Sequence, residues 1–150
     1  MVRAQIGATK EPTGMIPNSN LRPDGVTGLP WRQGKCLIWD ATVSDTLASS
    51  HLQNTSVIAG SAAKQAAVFK RQKYAALSAT HVIMPVSIET FGAWDVDSLS
   101  FIKELGRRIS LVTGDIRETQ FLFQRISVAI QRGNASSCMG TWVQDGADIE

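Results

Sequence analysis

The stretch that decides the fold is Lys-Cys-Leu-Ile-Trp-Asp-Ala-Thr-Val, residues 35–43, because its apolar and β-branched side chains predict a buried strand. In a strand, successive side chains lie on opposite faces. Asp40 therefore shares a face with Cys36, Ile38 and Thr42, an otherwise mainly apolar row. An ionised carboxylate in such a row is costly unless a partner or a metal ion offsets its charge. The opposite face carries Leu37, Trp39, Ala41 and Val43.

This strand is predicted to be the second arm of a hairpin. Residues Gly25–Leu29 predict the first arm and Pro30–Gly34 predict the turn. If the turn centres near Arg32, antiparallel pairing places Asp24 directly opposite Asp40, with Cβ atoms about 4.5–5.5 Å apart. Two like charges so placed repel each other, and a divalent cation between them would remove that penalty. The alternative is that Asp24 belongs to a turn signal and Asp40 is an ordinary strand-end residue.

A helix is predicted over Val57–Leu77, with Ser56 as its N-cap. Its alanines recur at three- and four-residue spacing, and Lys70 and Lys73 continue that stripe. A lysine on a stripe that faces a sheet needs a partner, and the two aspartates would provide one. The alternative is that both lysines extend outward to solvent. Arg71 falls on another face, toward solvent or phosphates.

The remaining elements give the predicted order strand, strand, helix, strand, helix, helix. A strand is predicted over Thr80–Thr90, where Pro85 indicates a sheet edge or a bulge. Helices are predicted over Ser98–Thr113 and Arg117–Arg132, the second ending at Gly133-Asn134. This order predicts an α/β domain in which a small mixed β-sheet is flanked by helices.

The composition is that of a globular protein, with 43% hydrophobic and 19% charged residues. No apolar run approaches the ~20 residues needed to cross a bilayer, and Met1–Lys10 lacks the apolar region of a signal peptide. These features predict a soluble, intracellular protein without a membrane partner. One domain is expected at this length. Residues 1–20 are predicted to form a loop-rich lead-in, residues 21–142 the domain, and residues 143–150 a flexible tail.

The net charge and the spacing of the cysteines and histidines do not by themselves indicate a function. The net charge of +2 is too small to indicate a nucleic-acid ligand. The two cysteines and two histidines lack the spacing of a metal site. Basic residues are nevertheless clustered, although such clusters on helices are usually solvated faces. The clusters lie at Lys64–Lys73, Arg107-Arg108, Arg117, Arg125 and Arg132.

At Arg22-Pro23-Asp24 and Asp40-Ala41-Thr42 the chain resembles the restriction-endonuclease-like domains of the PD-(D/E)XK superfamily. Thr42 stands where that superfamily normally has a lysine. The chain is more similar still to the endonuclease domain at the C-terminal end of non-LTR retrotransposon polyproteins, downstream of the reverse transcriptase. That family also has a Lys-x-x-Lys-Tyr motif on a helix, which here occupies residues 70–74. The resemblance extends over Lys10–Trp142.

The resemblance implies a metal-dependent endonuclease that nicks DNA, with Mg²⁺ or Mn²⁺ as its cofactor. Asp24 and Asp40 would bind the metal ion. Lys70 or Lys73 would replace the missing strand lysine, and the spacing permits either. Glu89 would join as an accessory carboxylate or is an ordinary strand-end residue. Thr42 is a further accessory candidate, and the candidate DNA-binding residues are Arg22, Arg71, Arg107 and Arg108.

Three functions remain open at this point. The chain is an active, nuclear nicking domain associated with a reverse transcriptase polyprotein, an inactive remnant that binds DNA, or a protein-interaction domain. The superfamily core usually opens with a helix ahead of its first motif, and its lack here predicts an N-terminally truncated domain. The remnant would bind DNA through Arg107, Arg108, Arg117, Arg125 and Arg132, and the interaction domain would present Trp31, Trp39, Trp94 and Trp142.

Overall fold

The computed structural model describes residues 1–17 and 19–145, and it confirms the α/β class. Within these residues a 4-stranded mixed sheet is flanked by four α-helices. None of the described helices is both long and apolar enough to span a bilayer. The strands are β1 (Ala8–Lys10), β2 (Gly25–Thr27), β3 (Cys36–Ser44) and β4 (His81–Glu89). The helices are α1 (Ser49–Thr55), α2 (Ser61–Lys73), α3 (Val96–Thr113) and α4 (Glu118–Asp145), with short 3-10 turns at Val2–Ala4 and Ala75–Leu77.

The sheet has the order β1-β2-β3-β4 and is mixed because one of its pairs is parallel. β1, β2 and β3 are antiparallel neighbours, whereas β4 runs parallel to β3 from Cys36↔His81 to Ser44↔Glu89. A parallel neighbour requires a crossover connection, and α1 and α2 form it. β4 is an edge strand, as Pro85 predicts.

The β2–β3 register confirms the hairpin geometry expected from the sequence. Gly25 pairs with Trp39 as the last pair of the ladder at this end, and Asp24 and Asp40 are the residues that adjoin this pair on the two arms of the hairpin. The Trp39 indole lies directly against Gly25, where any added Cβ would overlap the ring. Gly25 is therefore needed for the two strands to pack this closely beside the aspartates.

The two faces of the sheet pack against different helices. On one face, Ile38 packs with Tyr74 and Leu77 at the end of α2. On the other face, Leu37 packs with Phe101 and Ile102 of α3, and side chains of α4 complete that layer. The partly buried side chains around this second cluster include Trp31, Trp39 and Trp94. The side chain of Trp142 lies outside the described residues.

The helix predicted over Val57–Leu77 is wrong at its start. Ser56 is the C-cap of α1, not the N-cap of the long helix, and α2 begins at Ser61. Between them, Gly60 has a φ of 86°. This left-handed conformation interrupts the helix, and glycine adopts it without a steric penalty.

The two ends of the chain also differ from the prediction. β1 lies within the predicted loop-rich lead-in and pairs with β2. α4 continues through Gly133 to Asp145, so the predicted end at Gly133-Asn134 is wrong. Asn134 donates from Nδ2 to the Thr90 carbonyl oxygen at 2.9 Å, which holds this turn of α4 against the end of β4. Residues 146–150 of the predicted tail lie outside the described residues, and the division into lead-in, domain and tail stays a prediction.

α3 and α4 approach each other most closely at Gly106, where a Cβ atom would lie 2.7 Å from the Cα atom of Thr119. Because that obstacle is backbone, it cannot move aside cheaply. We expect Gly106→Ala to lower the free energy of unfolding by about 1–3 kcal/mol, although alanine is the better helix former. Urea denaturation measures the change.

Gly133→Ala is the matched control, because Gly133 lies within α4 and no atom lies within 4 Å of an added Cβ there. It should raise the free energy of unfolding by about 0.5–1 kcal/mol through helix propensity alone. A Gly106→Ala protein stabilised as much as Gly133→Ala would contradict the close helix crossing.

Candidate active site

Asp40 lies on β3 beneath α2, and its side chain is only 8% exposed. Lys70 Nζ donates to Asp40 Oδ2 at 2.8 Å, and Lys73 Nζ lies 4.0 Å from the same oxygen. The two lysines are one helical turn apart, so α2 presents both to the sheet. Their side chains are 18% and 29% exposed. The structure therefore brings both predicted lysines to the carboxylate instead of extending them into solvent.

Asp24 reaches the same face of the hairpin and extends the short β2–β3 ladder. Its Oδ2 atom accepts a hydrogen bond from the backbone N–H of Ala41 at 2.7 Å. At the other end of β2, Thr27 Oγ1 accepts from the N–H of Leu37 in the same way, at 2.9 Å. Side chains thus replace backbone acceptors at both ends of this short strand. For Asp24, the bond fixes one carboxylate oxygen and leaves Oδ1 without a hydrogen bond from the described residues.

Tyr74 is the site residue that sequence reasoning missed. It follows Lys73 directly, and it is fully buried against Ile38. Burial raises the pKa of the Tyr74 phenol well above its ordinary value, and the nearby carboxylates of Asp40 and then Asp24 raise it further. Both aspartates therefore lie near one hydroxyl group. A hydrogen-bonding interaction with the Asp40 carboxylate contributes to the raised pKa of Tyr74, although its Oη atom forms no hydrogen bond of good geometry with a described residue. The helical spacing of residues 70 and 74 was the available signal, because i and i+4 share a face.

The arrangement fits a hard divalent cation in its chemistry. Mg²⁺ in proteins commonly takes one or two carboxylates and completes its coordination with water and substrate phosphate oxygens. Asp24 Oδ1 and Asp40 Oδ1 accept no hydrogen bond from the described residues, and the nearby Tyr74 hydroxyl forms none of good geometry with them. No cluster of three or more His, Cys, Asp or Glu side chains is found in the described part of the chain. Two aspartates would therefore be the whole protein contribution to such a site.

The two accessory candidates differ in where they lie. Glu89 pairs with Ser44 at the far end of β4, away from Asp40 along the strands. Its Oε1 atom accepts from the N–H of Ala62 at 2.9 Å, so it satisfies a donor in the first turn of α2. This contact accounts for a buried Glu89 without a metal ion. Thr42 does share the Asp40 face, and its Oγ1 atom is buried without a partner among the described residues.

The four candidate DNA-binding arginines are dispersed, and each faces a carboxylate. Arg22 lies 3.7 Å from Glu11, and Arg71 pairs with Asp97 at the start of α3. Arg107 and Arg108 belong to α3, which packs on the sheet face opposite to α2. The structure therefore does not bring this last pair to Asp40.

Glu104 binds both arginines of α3. Hydrogen bonds from Arg107 and then Arg108 lower the pKa of Glu104 to about 2. Arg108 also stacks on the Trp31 ring, with 3.7 Å between its guanidinium carbon and the ring centroid. These contacts give both side chains structural partners on α3 and on the hairpin turn.

No protein-family model matches the chain, and no curated protein matches it at a significant level.

The unusual environment of Tyr74 can be tested directly, because it is the single tyrosine of the chain. Its raised pKa means that the folded protein keeps the phenol protonated above pH 10.0, the ordinary value. Stability from this group is present below pH 10.0 and is lost at higher pH, where the unfolded chain ionises first. We expect tyrosinate absorbance to stay low past that pH until the protein unfolds.

Two variants separate the contributions of Asp40 and Asp24 to the raised pKa of Tyr74. Asp40→Asn should lower the pKa of Tyr74 part of the way to its ordinary value, since burial remains, and Asp24→Asn should lower it less. Circular dichroism recorded on the same samples reports whether the fold persists. Ordinary titration of Tyr74 in a folded wild-type protein would contradict the buried site.

Proposed function

We propose that this protein is a metal-dependent DNA endonuclease, built on a restriction-endonuclease-like core and derived from a retrotransposon polyprotein. The observation that carries the proposal is the convergence of Asp24, Asp40 and Lys70 on one half-buried face of the hairpin. Two adjacent carboxylates with an ammonium group beside them form the minimal apparatus for cutting a phosphodiester bond with a divalent cation. The assignment of DNA as substrate, and hence of a nuclear location, rests on the sequence resemblance.

In this proposal Asp24 and Asp40 hold the cation, Mg²⁺ or Mn²⁺, through the oxygens that make no protein hydrogen bond. When bound, the cation would activate a water molecule and neutralise charge on the phosphate. The protein contributes the positions of the oxygens. Asp24 is fixed by the Ala41 N–H and Asp40 by Lys70, so neither carboxylate has to be ordered when the cation arrives.

We assign the catalytic lysine to Lys70, because its ammonium group contacts Asp40 directly while that of Lys73 lies 4.0 Å away. An ammonium group at this position can donate to the attacking water or to a phosphate oxygen. It would supply the charge that the superfamily places at the position of Thr42. Lys73, which also lies 5.0 Å from the Tyr74 ring centroid, provides a second positive charge farther from the reacting atoms.

DNA binding without cleavage is the second candidate function. Its support is the contact between Lys70 and Asp40, which already balances the charge of the carboxylate without any metal ion. A chain that has lost activity could keep this ion pair because breaking it would leave a poorly solvated charge. Cleavage and metal-binding assays distinguish the two candidates.

Plasmid nicking tests the activity. Wild-type protein should convert supercoiled DNA to the open circle in Mg²⁺ or Mn²⁺ and not in a chelator. Asp40→Asn and Lys70→Met should each lower the rate by about 100-fold or more, because each removes charge stabilisation at the reacting phosphate. Asp115→Asn and Lys103→Met are matched controls on the α3 side of the molecule and should cut at the wild-type rate. Intact DNA with wild-type protein in both metal ions would overturn the proposal.

Binding of the cation can be measured without any substrate. At about 100 times its dissociation constant, Mg²⁺ or Mn²⁺ should stabilise the folded state by about 2.7 kcal/mol. Thermal unfolding should show this gain in the wild type and lose it in Asp24→Asn and Asp40→Asn. If Asp115→Asn abolished the gain as completely as Asp40→Asn does, the cation would be bound elsewhere.

A further inference from the structure

A basic cavity lies where α2 ends, and the proposed active site does not use it. The cavity has a volume of about 380 Å³. Its charged or titratable lining consists of Arg32 and Lys35 from the hairpin turn, Arg71 from α2 and His81 from β4. None of the described lining residues is acidic. We call these four residues and the cavity between them the basic cleft.

Two cations of the basic cleft, Arg32 and Lys35, have no carboxylate partner among the described residues. Arg32 is exposed and forms no ion pair with any described residue. Lys35 Nζ donates to the Ser78 carbonyl oxygen at 3.1 Å, a neutral partner that leaves its charge uncompensated. Arg71 pairs with the carboxylate of Asp97. Asp97 lines a neighbouring cavity, which Arg32 and Arg71 line as well. The cleft therefore has an excess of positive charge.

The open part of the β4 edge adds a neutral donor to the cleft. Farther along this edge, Ser98 Oγ of α3 donates to the Pro85 carbonyl oxygen and accepts from the Ser87 N–H. α3 therefore covers that part of the edge. Backbone groups alternate in direction along a strand, so the N–H of Ile83 points to the same outer edge as that of Ser87. Ile83 lines the cleft. Among the described residues, no side chain covers the N–H of Ile83 in this way.

The position of the cleft relates it to the proposed active site. Arg71 directly follows Lys70, whose ammonium group contacts Asp40. The cleft thus begins beside the last turn of the helix that supplies the catalytic lysine. The arginines of α3 and α4, by contrast, pack on the opposite face of the sheet. Arg107 and Arg108 pair with Glu104 on their own helix, and Arg117, in the loop that precedes α4, pairs with Asp115.

We propose that the basic cleft, at the end of the helix that supplies Lys70, binds backbone phosphates of a nucleic acid. Arginine guanidinium and lysine ammonium groups are the side chains that bind phosphates best in proteins, and Arg32 with Lys35 can contact neighbouring phosphates. The choice of a nucleic acid over an acidic peptide rests on the proposed function. The basic cleft is inferred from its own lining residues, and it could bind a nucleic acid whether or not the protein cleaves DNA.

The test measures binding of a labelled DNA duplex by fluorescence anisotropy in a chelator, so that no cleavage occurs. A plot of log affinity against log salt concentration has a slope of about −0.9 for each phosphate neutralised. The double variant Arg32→Gln/Lys35→Gln should reduce the magnitude of this slope by about 2. The double variant Arg3→Gln/Lys103→Gln, whose exposed side chains lie on the 3-10 turn Val2–Ala4 and on α3, removes the same charge and should change the slope by less than about 0.5. Thermal unfolding of both confirms that the variants are folded.

Three outcomes would overturn the basic cleft as a nucleic-acid site. They are equal losses in the two double variants, an absence of duplex binding by the wild type at low salt, and displacement of DNA by polyglutamate at equal charge concentration. If the nuclease proposal alone is wrong, the experiments give a different pair of results. In that case the DNA stays intact in Mg²⁺ and Mn²⁺, while the Arg32→Gln/Lys35→Gln variant still weakens binding in the chelator.

Discussion

The contact between Asp40 and Lys70 is the interaction on which the arrangement of this protein depends. It joins the central strand β3 to α2 at 2.8 Å, and both side chains are mostly removed from water. Removing one partner of such a pair costs about 3–5 kcal/mol when it is well buried, because the other charge is left without compensation. The buried face of α2 is otherwise built from alanines, which allow close approach and contribute little specificity. The ion pair anchors the C-terminal part of α2 to the sheet, as the bond from the Ala62 N–H to Glu89 anchors its first turn.

Much of the strand arrangement follows from short-range sequence patterns. Alternation of side chains locates β3, and the index sum of a hairpin centred near Arg32 sets the register that pairs Gly25 with Trp39. Helix boundaries were less predictable. Gly60 breaks the long helix because it adopts a left-handed conformation, whereas Gly133 is accommodated within α4. The two glycines look alike in the sequence, and only tertiary contacts, such as that of Asn134 with Thr90, separate them.

In the candidate site, too, some features follow from local sequence patterns and others depend on tertiary contacts. The register that pairs Gly25 with Trp39 beside the two aspartates, and the helical spacing of the two lysines, could be predicted, since each depends on the period of one element. The bond from the Ala41 N–H to Asp24 could not, because a side chain there replaces the backbone acceptor of a ladder. Its acidic side chain at a strand end makes Glu89 a candidate accessory carboxylate in the sequence. The parallel register places it beside Ser44, where it binds the first turn of α2 instead.

Charge balance links the proposed active site to the basic cleft. The two aspartates and the two lysines cancel one another, so the site without a cation has no net charge with which to attract DNA. The whole chain carries only +2, which gives weak long-range attraction in physiological salt, where the Debye length is about 8 Å. A nuclease of this design therefore needs a separate local excess of positive charge near the reacting phosphate. In the proposed basic cleft, Arg32 and Lys35 would supply it at the end of the helix that carries Lys70. The divalent cation would then add positive charge to a site on which the DNA backbone is already held.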